Sequence, residues 1–306
     1  MNKYHVLIKE ICDELNIKFK ILSKDLVIML EKDGKIKYIT GFKFDINTQG
    51  TSNIIDDKYA FYEILKEKNV PIIDHKIIYS PKNNNEYAIG CNTYEYVYNF
   101  FRENNNHIVI KSNTGTCGSE VFEIKTIEDI DYYLDRMFLN NRSLSICSYY
   151  DIENEYRTIV FNNKILLIYK KIKPVVIGDG TSSIRELLLK FNPIYFKDKL
   201  KEIKFDRVLK ENEKYEYNWQ FNLSKGAKIG TTDELIKKEI ESLALKVSSI
   251  VNLEFGSVDI IKTKDNKLYV IEANSGVMMT NYIEEVEYGY NVAKDIYKKV
   301  ILEMLK

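Results

Sequence analysis

Cysteine and histidine are both scarce in this chain. Its 306 residues include four cysteines, Cys12, Cys91, Cys117 and Cys147, none in a CxxC pair, and three histidines, His5, His75 and His107. That set argues against a zinc or other soft-metal centre. Scattered free thiols fit a reducing compartment, so a cytoplasmic protein is expected. Net charge is also absent: Lys plus Arg number 45, and so do Asp plus Glu. Nucleic acid is therefore not an expected partner, since a sequence-independent grip on it needs a basic face. No apolar run approaches the roughly 18 residues of a membrane span. Lys3, Lys9, Glu10, Asp13 and Glu14 make the start of the chain too charged for a signal peptide. There is no internal repeat, and the only low-complexity tracts are short Asn clusters at 83–85 and 104–106.

What is present is clearest between Gly256 and Asn274. Gly256-Ser257-Val258-Asp259-Ile260-Ile261 and Leu268-Tyr269-Val270-Ile271-Glu272-Ala273-Asn274 flank a polar turn at Asp265-Asn266-Lys267. This pattern reads as two buried strands in a hairpin. Glu272 and Asn274 are two apart and share a face, and Asp259 can lie beside them from the partner strand. Three oxygen donors on a buried sheet are costly unless paired. A hard cation such as Mg²⁺ would pair them, using a few protein oxygens plus phosphates and water. A solvated sheet edge carrying three ordinary polar residues is the competing reading.

The rest of the chain alternates helices and strands. Apolar positions at Tyr4, Ile8, Ile11, Cys12 and Leu15 predict a helix over 3–16. Strands follow around 19–30 and 36–44, turning at Asp33-Gly34. A helix opens at Asp57-Lys58, capped by Asp56 or Asp57, and ends at Val70-Pro71. Lys58 is an odd cation for a helix N-terminus; a solvated lysine would also explain it. Helices at 92–103 and 127–138 bracket strands at 107–111 and 120–124. Between those strands lies the small polar loop Ser112-Asn113-Thr114-Gly115-Thr116-Cys117-Gly118-Ser119. Such a loop can aim backbone N–H groups at phosphate oxygens, with Lys111 at its mouth, although glycine-containing hairpin loops are common. It is no Walker A motif.

Strand 143–148 leads into Tyr149-Tyr150-Asp151, followed by a strand pair at 155–161 and 164–170. Glu155 and Arg157 face one side of it. Lys170, Lys171 and Lys173 form a basic cluster, either solvated or a clamp on phosphate or carboxylate. Thr181 is the expected N-cap of a helix containing Ile184, Leu187 and Leu188. Residues 194–218 are charged and aperiodic, the pattern of a surface excursion. Tyr215, Tyr217, Trp219 and Phe221 are read as ordinary packing or as the lining of an acceptor pocket. A helix that begins after Thr231-Thr232-Asp233 and runs to about 251, and another over about 289–305, complete the chain.

In order, several of these segments resemble the ATP-grasp superfamily, and most closely its branch of cyanophycin synthetase, glutathione-synthetase-like modules and ribosomal-protein glutamate ligase. The segments are Asp57-Lys58 with Val70-Pro71, Ile108-Val109-Ile110-Lys111 with its loop, and Gly178-Asp179-Gly180 before Ile184-Arg185-Glu186-Leu187. Asn222-Leu223-Ser224-Lys225-Gly226 and the Asp259…Glu272-x-Asn274 pattern follow. The resemblance covers roughly residues 50–306 and implies an α+β fold, with two subdomains clasping ATP and a short N-terminal α/β segment. The expected boundaries are 1–56, 57–150 and 151–306.

The resemblance also implies roles. Lys58 and Lys111 would contact ATP phosphates, and Thr114, Gly115, Cys117 and Gly118 would belong to the loop covering them. Ser148, Tyr149 and Tyr150 would line the adenine pocket, and Glu155 would accept from the ribose. Lys111 and Arg157 would act on the reacting groups, and Asp259, Glu272 and Asn274 would hold Mg²⁺. The implied activity is an ATP-dependent, ADP-forming, peptide-bond-forming ligase that joins an amino acid or peptide through an acyl phosphate. A small-molecule kinase and a nucleotide-binding protein without activity are the alternatives. A symmetric homodimer is the commonest oligomer of such chains. Departures from the branch are Ser148-Tyr149 in place of an acidic hinge residue, Cys117 in the loop, Ala227 after Gly226, and Ser275-Gly276-Val277 after Asn274. The first bears on nucleotide affinity and the others on the substrate.

Overall fold

A computed structural model describes residues 2–83, 85–115, 120–191 and 203–306. The chain divides into two compact units, one made of Met1–Tyr169 with Thr232–Lys306 and the other of Lys170–Thr231.

The first unit begins with α1 (Lys3–Glu14), whose N-terminus is capped by Asn2 accepting the His5 N–H at 2.9 Å. Its buried face, with Tyr4, Leu7, Ile8 and Ile11, packs beside the last helix of the chain. A four-stranded antiparallel meander follows, β1 (Lys18–Leu22), β2 (Val27–Lys32), β3 (Lys35–Thr40) and β4 (Lys43–Phe44). The sequence reading had one strand over 19–30. Instead, Ser23, Lys24 and Asp25 take φ of 54°, 49° and 72°, and the run folds back on itself there. Helix α2 (Gln49–Asp56) was not anticipated; α3 (Lys58–Glu67) was, and Asp57 caps it by accepting the Ala60 N–H at 2.9 Å.

The next sheet has the order β5-β8-β6-β7, from β5 (His75–Tyr79), β6 (Ile108–Ser112), β7 (Val121–Ile124) and β8 (Ser143–Ser148). One face carries Ile78, Ile108, Ile110, Ile124, Leu144 and Ile146. It packs against α4 (Tyr94–Glu103) and α5 (Ile127–Met137) through Val97, Phe100, Ile130 and Leu134. Strand alternation therefore puts His75, Lys111, Ser145 and Cys147 on the opposite face.

The larger sheet of this unit runs β10-β9-β14-β15, from β9 (Ile152–Phe161), β10 (Lys164–Ile172), β14 (Phe255–Thr263) and β15 (Leu268–Asn274). Asn162 and Asn163, with φ of 46° and 53°, make the tight β9–β10 turn. Tyr156, Val160, Val258, Ile260, Val270 and Ala273 pack against α2, α3 and α7 (Glu234–Val251), the last capped by Asp233. The other face carries the buried Ile159, Phe161, Phe255 and Ile261 together with a group of polar side chains around Asp259. Two more helices, α8 (Thr280–Glu285) and α9 (Gly289–Met304), end the chain.

In the second unit, β11 (Val175–Ile177) pairs with β12 (Lys214–Glu216), and β13 (Lys228–Gly230) pairs with the β10 residues Lys170–Ile172. Helix α6 (Ile184–Phe191) closes a small core of Val176, Ile184, Leu188, Phe205 and Leu209. Its cap is not Thr181. Ser183 and Glu186 form a reciprocal capping box, with Ser183 N–H donating to Glu186 at 2.8 Å and Glu186 N–H to Ser183 at 3.3 Å. Thr181 and Ser182 instead donate their N–H groups to Asp179 at 3.0 and 2.6 Å. Of the expected excursion over 194–218, residues 194–202 lie outside the described residues, and the remainder contributes Phe205, Leu209 and β12 to this core.

Candidate functional site

Register decides the site. On β14, Asp259 stands opposite Arg157 of β9 and opposite Glu272 of β15, while Ile261 faces Glu155 and Ser257 faces Asn274. Glu155, Arg157, Asp259, Glu272 and Asn274 therefore share one face of the larger sheet, opposite the side that packs on α2, α3 and α7. A bulge follows Asp259, whose neighbour Ile260 pairs with Val270 rather than Ile271. Ile271 is the extra residue, which lets Val270 return to the apolar side while Glu272 keeps its place beside Asp259.

Asp259 is buried and engages Arg157 through both oxygens: Nε donates to Oδ1 at 2.7 Å and Nη2 to Oδ2 at 2.6 Å. The two side chains are 2% and 23% exposed. Burial opposes the Arg157 charge, but Asp259, Tyr169 and Glu272 together hold its pKa well above the ordinary arginine value. Asn274 donates weakly to Glu272 at 3.4 Å. Among the described residues, no three His, Cys, Asp or Glu side chains gather closely enough to hold a metal. The donor set here is instead two carboxylates and an amide oxygen. It fits Mg²⁺, which takes one or two carboxylates and completes its shell with phosphates and water. Such an ion would share Asp259 with Arg157 or replace it there.

Lys58 and Lys111 are both nearly buried, 9% and 6% exposed. Lys58 Nζ donates to the Gly115 carbonyl at 2.5 Å. Burial pulls its pKa below the ordinary lysine value; Glu272 opposes that shift and Lys111 adds to it. The start of the loop after β6 is tied to the start of α3. Asn113 accepts the Lys58 N–H on its carbonyl at 3.0 Å and the Tyr59 N–H on its side chain at 3.1 Å. Ser112 donates to Asn141 at 2.6 Å, and Asn141 donates to Glu120 at 2.9 Å, which joins the two loop ends. Thr114 and Gly115 belong to this loop, and a Cβ on Gly115 would lie 2.8 Å from Ser112 Cβ. Cys117 and Gly118 lie outside the described residues.

At the hinge, Ser148 points to the helical side of its sheet and donates to Asn104. Tyr149 stacks on His107 at 3.8 Å and 10°. Tyr150 leans against Tyr269, and burial pushes its hydroxyl up to about 12. Tyr149, Tyr150 and Tyr269 line a cleft of about 370 Å³ with residues of the β14–β15 turn.

Of the basic cluster, Lys171 is buried, while Lys173 pairs with Glu216 at 3.5 Å and lies over the Phe221 ring. Tyr215 and Tyr217 pack on the core of the second unit, as the packing reading expects. The sequence reading placed Asn113 in the 112–119 loop without a role of its own and gave His75 none. Both were legible as polar residues in or beside strands whose alternation puts Lys111 on the same sheet face.

With that geometry in view, comparison with known proteins gives one answer. The chain has the ATP-grasp fold. Residues 206–300 match the RimK-like ATP-grasp domain. The chain is similar to a bifunctional glutathione synthetase from Pasteurella multocida, with a TM-score of 0.56 and 18% identity, over 96% of this chain and 43% of that one. It is also similar to D-alanine–D-alanine ligase from Bacillus anthracis, with a TM-score of 0.56 and 15% identity, over 84% and 68% of the two chains. A D-cycloserine synthetase gives a TM-score of 0.51 and 14% identity, over 83% and 71%. The chain thus spans less than half the length of the first of these ATP-grasp proteins. No curated protein sequence matches it. Among the described residues no helix is long and apolar enough to cross a membrane.

Proposed function

We propose that this ATP-grasp chain is an ATP-dependent, ADP-forming carboxylate–amine ligase acting on an amino acid or short peptide. The observation that carries this reading is the polar group of Arg157, Asp259, Glu272 and Asn274 on one sheet face, within the same unit as the buried Lys58 and Lys111. The solved proteins with this fold bear names of amino-acid and peptide ligases, which supports the substrate class. The free thiols of Cys12, Cys91 and Cys147 suit a reducing cytoplasm.

Asp259, Glu272 and Asn274 would hold Mg²⁺, which when bound neutralises phosphate charge. Lys58 and Lys111 bind the phosphates and offset the charge that develops during phosphoryl transfer. Glu155 orients the ribose. The hinge segment Ser148–Tyr150 reads the purine through its backbone; its side chains are occupied elsewhere. Transfer of the γ-phosphoryl group to a substrate carboxylate makes an acyl phosphate, and Arg157 is the cation placed to stabilise it. An incoming neutral amine then attacks the acyl carbon and phosphate leaves. The loop containing Thr114 and Gly115 covers the phosphates and excludes water.

The test is ADP release with ATP, Mg²⁺ and pools of amino acids and dipeptides, with mass spectrometry on each active pool. A condensed product that Glu272→Gln reduces at least about 100-fold is the expected result. A phosphorylated but uncondensed product would make the chain a kinase, and ATP binding without turnover on any pool would count against the small-substrate reading.

A further inference from the structure

His75 is buried, 3% exposed, at the start of β5. Its Nδ1 shares a 2.7 Å hydrogen bond with Ser145 Oγ. Ser145 lies opposite Lys111 in the β6–β8 register, and His75 lies opposite Cys147 in the β5–β8 register. His75, Ser145 and Lys111 therefore occupy one sheet face, away from the apolar side. The Tyr62 ring meets the imidazole edge-on at 5.8 Å. Among the described residues, His75 Nε2 is buried and has no hydrogen-bond partner. Buried polar atoms are nearly always paired, so an orphan of this kind calls for a partner beyond the described residues.

The chemistry narrows that partner. Burial first, then the ammonium groups of Lys111 and Lys58, keep the His75 pKa well below its ordinary value, so the ring is neutral. A neutral imidazole has one donor and one acceptor. When the Ser145 hydroxyl donates to Nδ1, the proton is on Nε2 and points a donor at whatever comes next to it. Two lysines on the same side draw an anion, and a neutral donor there adds a bond without adding a third positive charge.

We propose that His75 is a further nucleotide-binding residue, its Nε2–H donating to a phosphate oxygen of the nucleotide held by Lys111 and Lys58. The proposal rests on the nucleotide reading above and adds a residue to it. Nε2 is shielded in the free chain, so the groups around it shift as the phosphate arrives.

Two substitutions separate the ring nitrogens. His75→Asn places an amide atom near Nδ1 and keeps the Ser145 bond but loses Nε2. His75→Gln reaches the Nε2 position. Binding of ADP and of adenosine would be measured by calorimetry on the full chain. His75→Asn is expected to weaken ADP about tenfold, the effect of one hydrogen bond to a charged group. His75→Gln should stay within about threefold of the parent, and adenosine, which has no phosphate, should respond to neither. Nitrogen-15 spectra of the parent should show a neutral ring whose Nε2 resonance moves on adding ADP. ADP affinity unchanged in His75→Asn would overturn the contact, as would equal losses for ADP and adenosine in both variants. Failure of the parent to bind ADP at all would instead overturn the nucleotide reading, and this contact with it.

Discussion

The Arg157–Asp259 pair gives the sharpest quantitative test. Asp259 is 2% exposed and spends both oxygens on Arg157, whereas the arginine is 23% exposed. The two single deletions should therefore be unequal. Arg157→Gln takes two charged hydrogen bonds from a carboxylate with almost no access to water, and removing one partner of a buried pair costs about 3–5 kcal/mol. Asp259→Asn leaves the partly solvated guanidinium, so its cost should be nearer the lost charged hydrogen bonds, about 1.5–3 kcal/mol. The double variant removes both charges and should recover at least half of the Arg157→Gln loss, because neutral replacement of a buried pair is often close to neutral in stability. The assay is urea unfolding followed by far-ultraviolet circular dichroism, with EDTA and no nucleotide. If Arg157→Gln costs less than about 1 kcal/mol, or if the single effects simply add, the pair is not the buried, mutually dependent unit described here.

The same pair constrains metal binding. If an ion held by Asp259 displaces Arg157 there, Mn²⁺ measured by electron paramagnetic resonance should bind the parent weakly without nucleotide and at least about tenfold more tightly with ADP; equal binding would refute the displacement. His75 sets a pH dependence. Its folded pKa lies well below the ordinary 6.5, so below pH 6.5 the unfolded chain takes up a proton that the folded chain does not, and stability falls as pH falls. His75→Gln should flatten that slope in melting temperatures taken between pH 7 and pH 5, and an unchanged slope would assign it to other groups. In the second unit, a Cβ at Gly178 would lie 2.1 Å from the Lys210 carbonyl oxygen. Gly178→Ala should therefore cost at least about 1–3 kcal/mol and expose the 170–231 segment to limited proteolysis, while a protease-resistant variant would show that the backbone yields there.

Much of the site was legible in the chain because strands have period two. Once Gly256–Asn274 is read as a hairpin, the side shared by Glu272 and Asn274 follows, and the same rule couples Glu155 to Arg157. The Asp57 cap of α3 was also readable, since a carboxylate before a helix has a local partner. The four-stranded meander was less so: three consecutive residues in positive φ at Ser23–Asp25 break a run whose side chains still look strand-like. The helix cap at Ser183 was missed because Asp179 draws Thr181 and Ser182 into its own turn.

The sequence by itself determined most of the helices and long strands and which side of a strand each residue faces, because propensity and alternation act over a few residues. It did not determine which strand lies beside which. Only the tertiary structure brought Arg157 against Asp259, 102 positions away, placed a bulge after Asp259, and left His75 Nε2 without a partner among the described residues. Those outcomes depend on register between distant segments and on burial, and both are set by the packing of whole sheets against their helices.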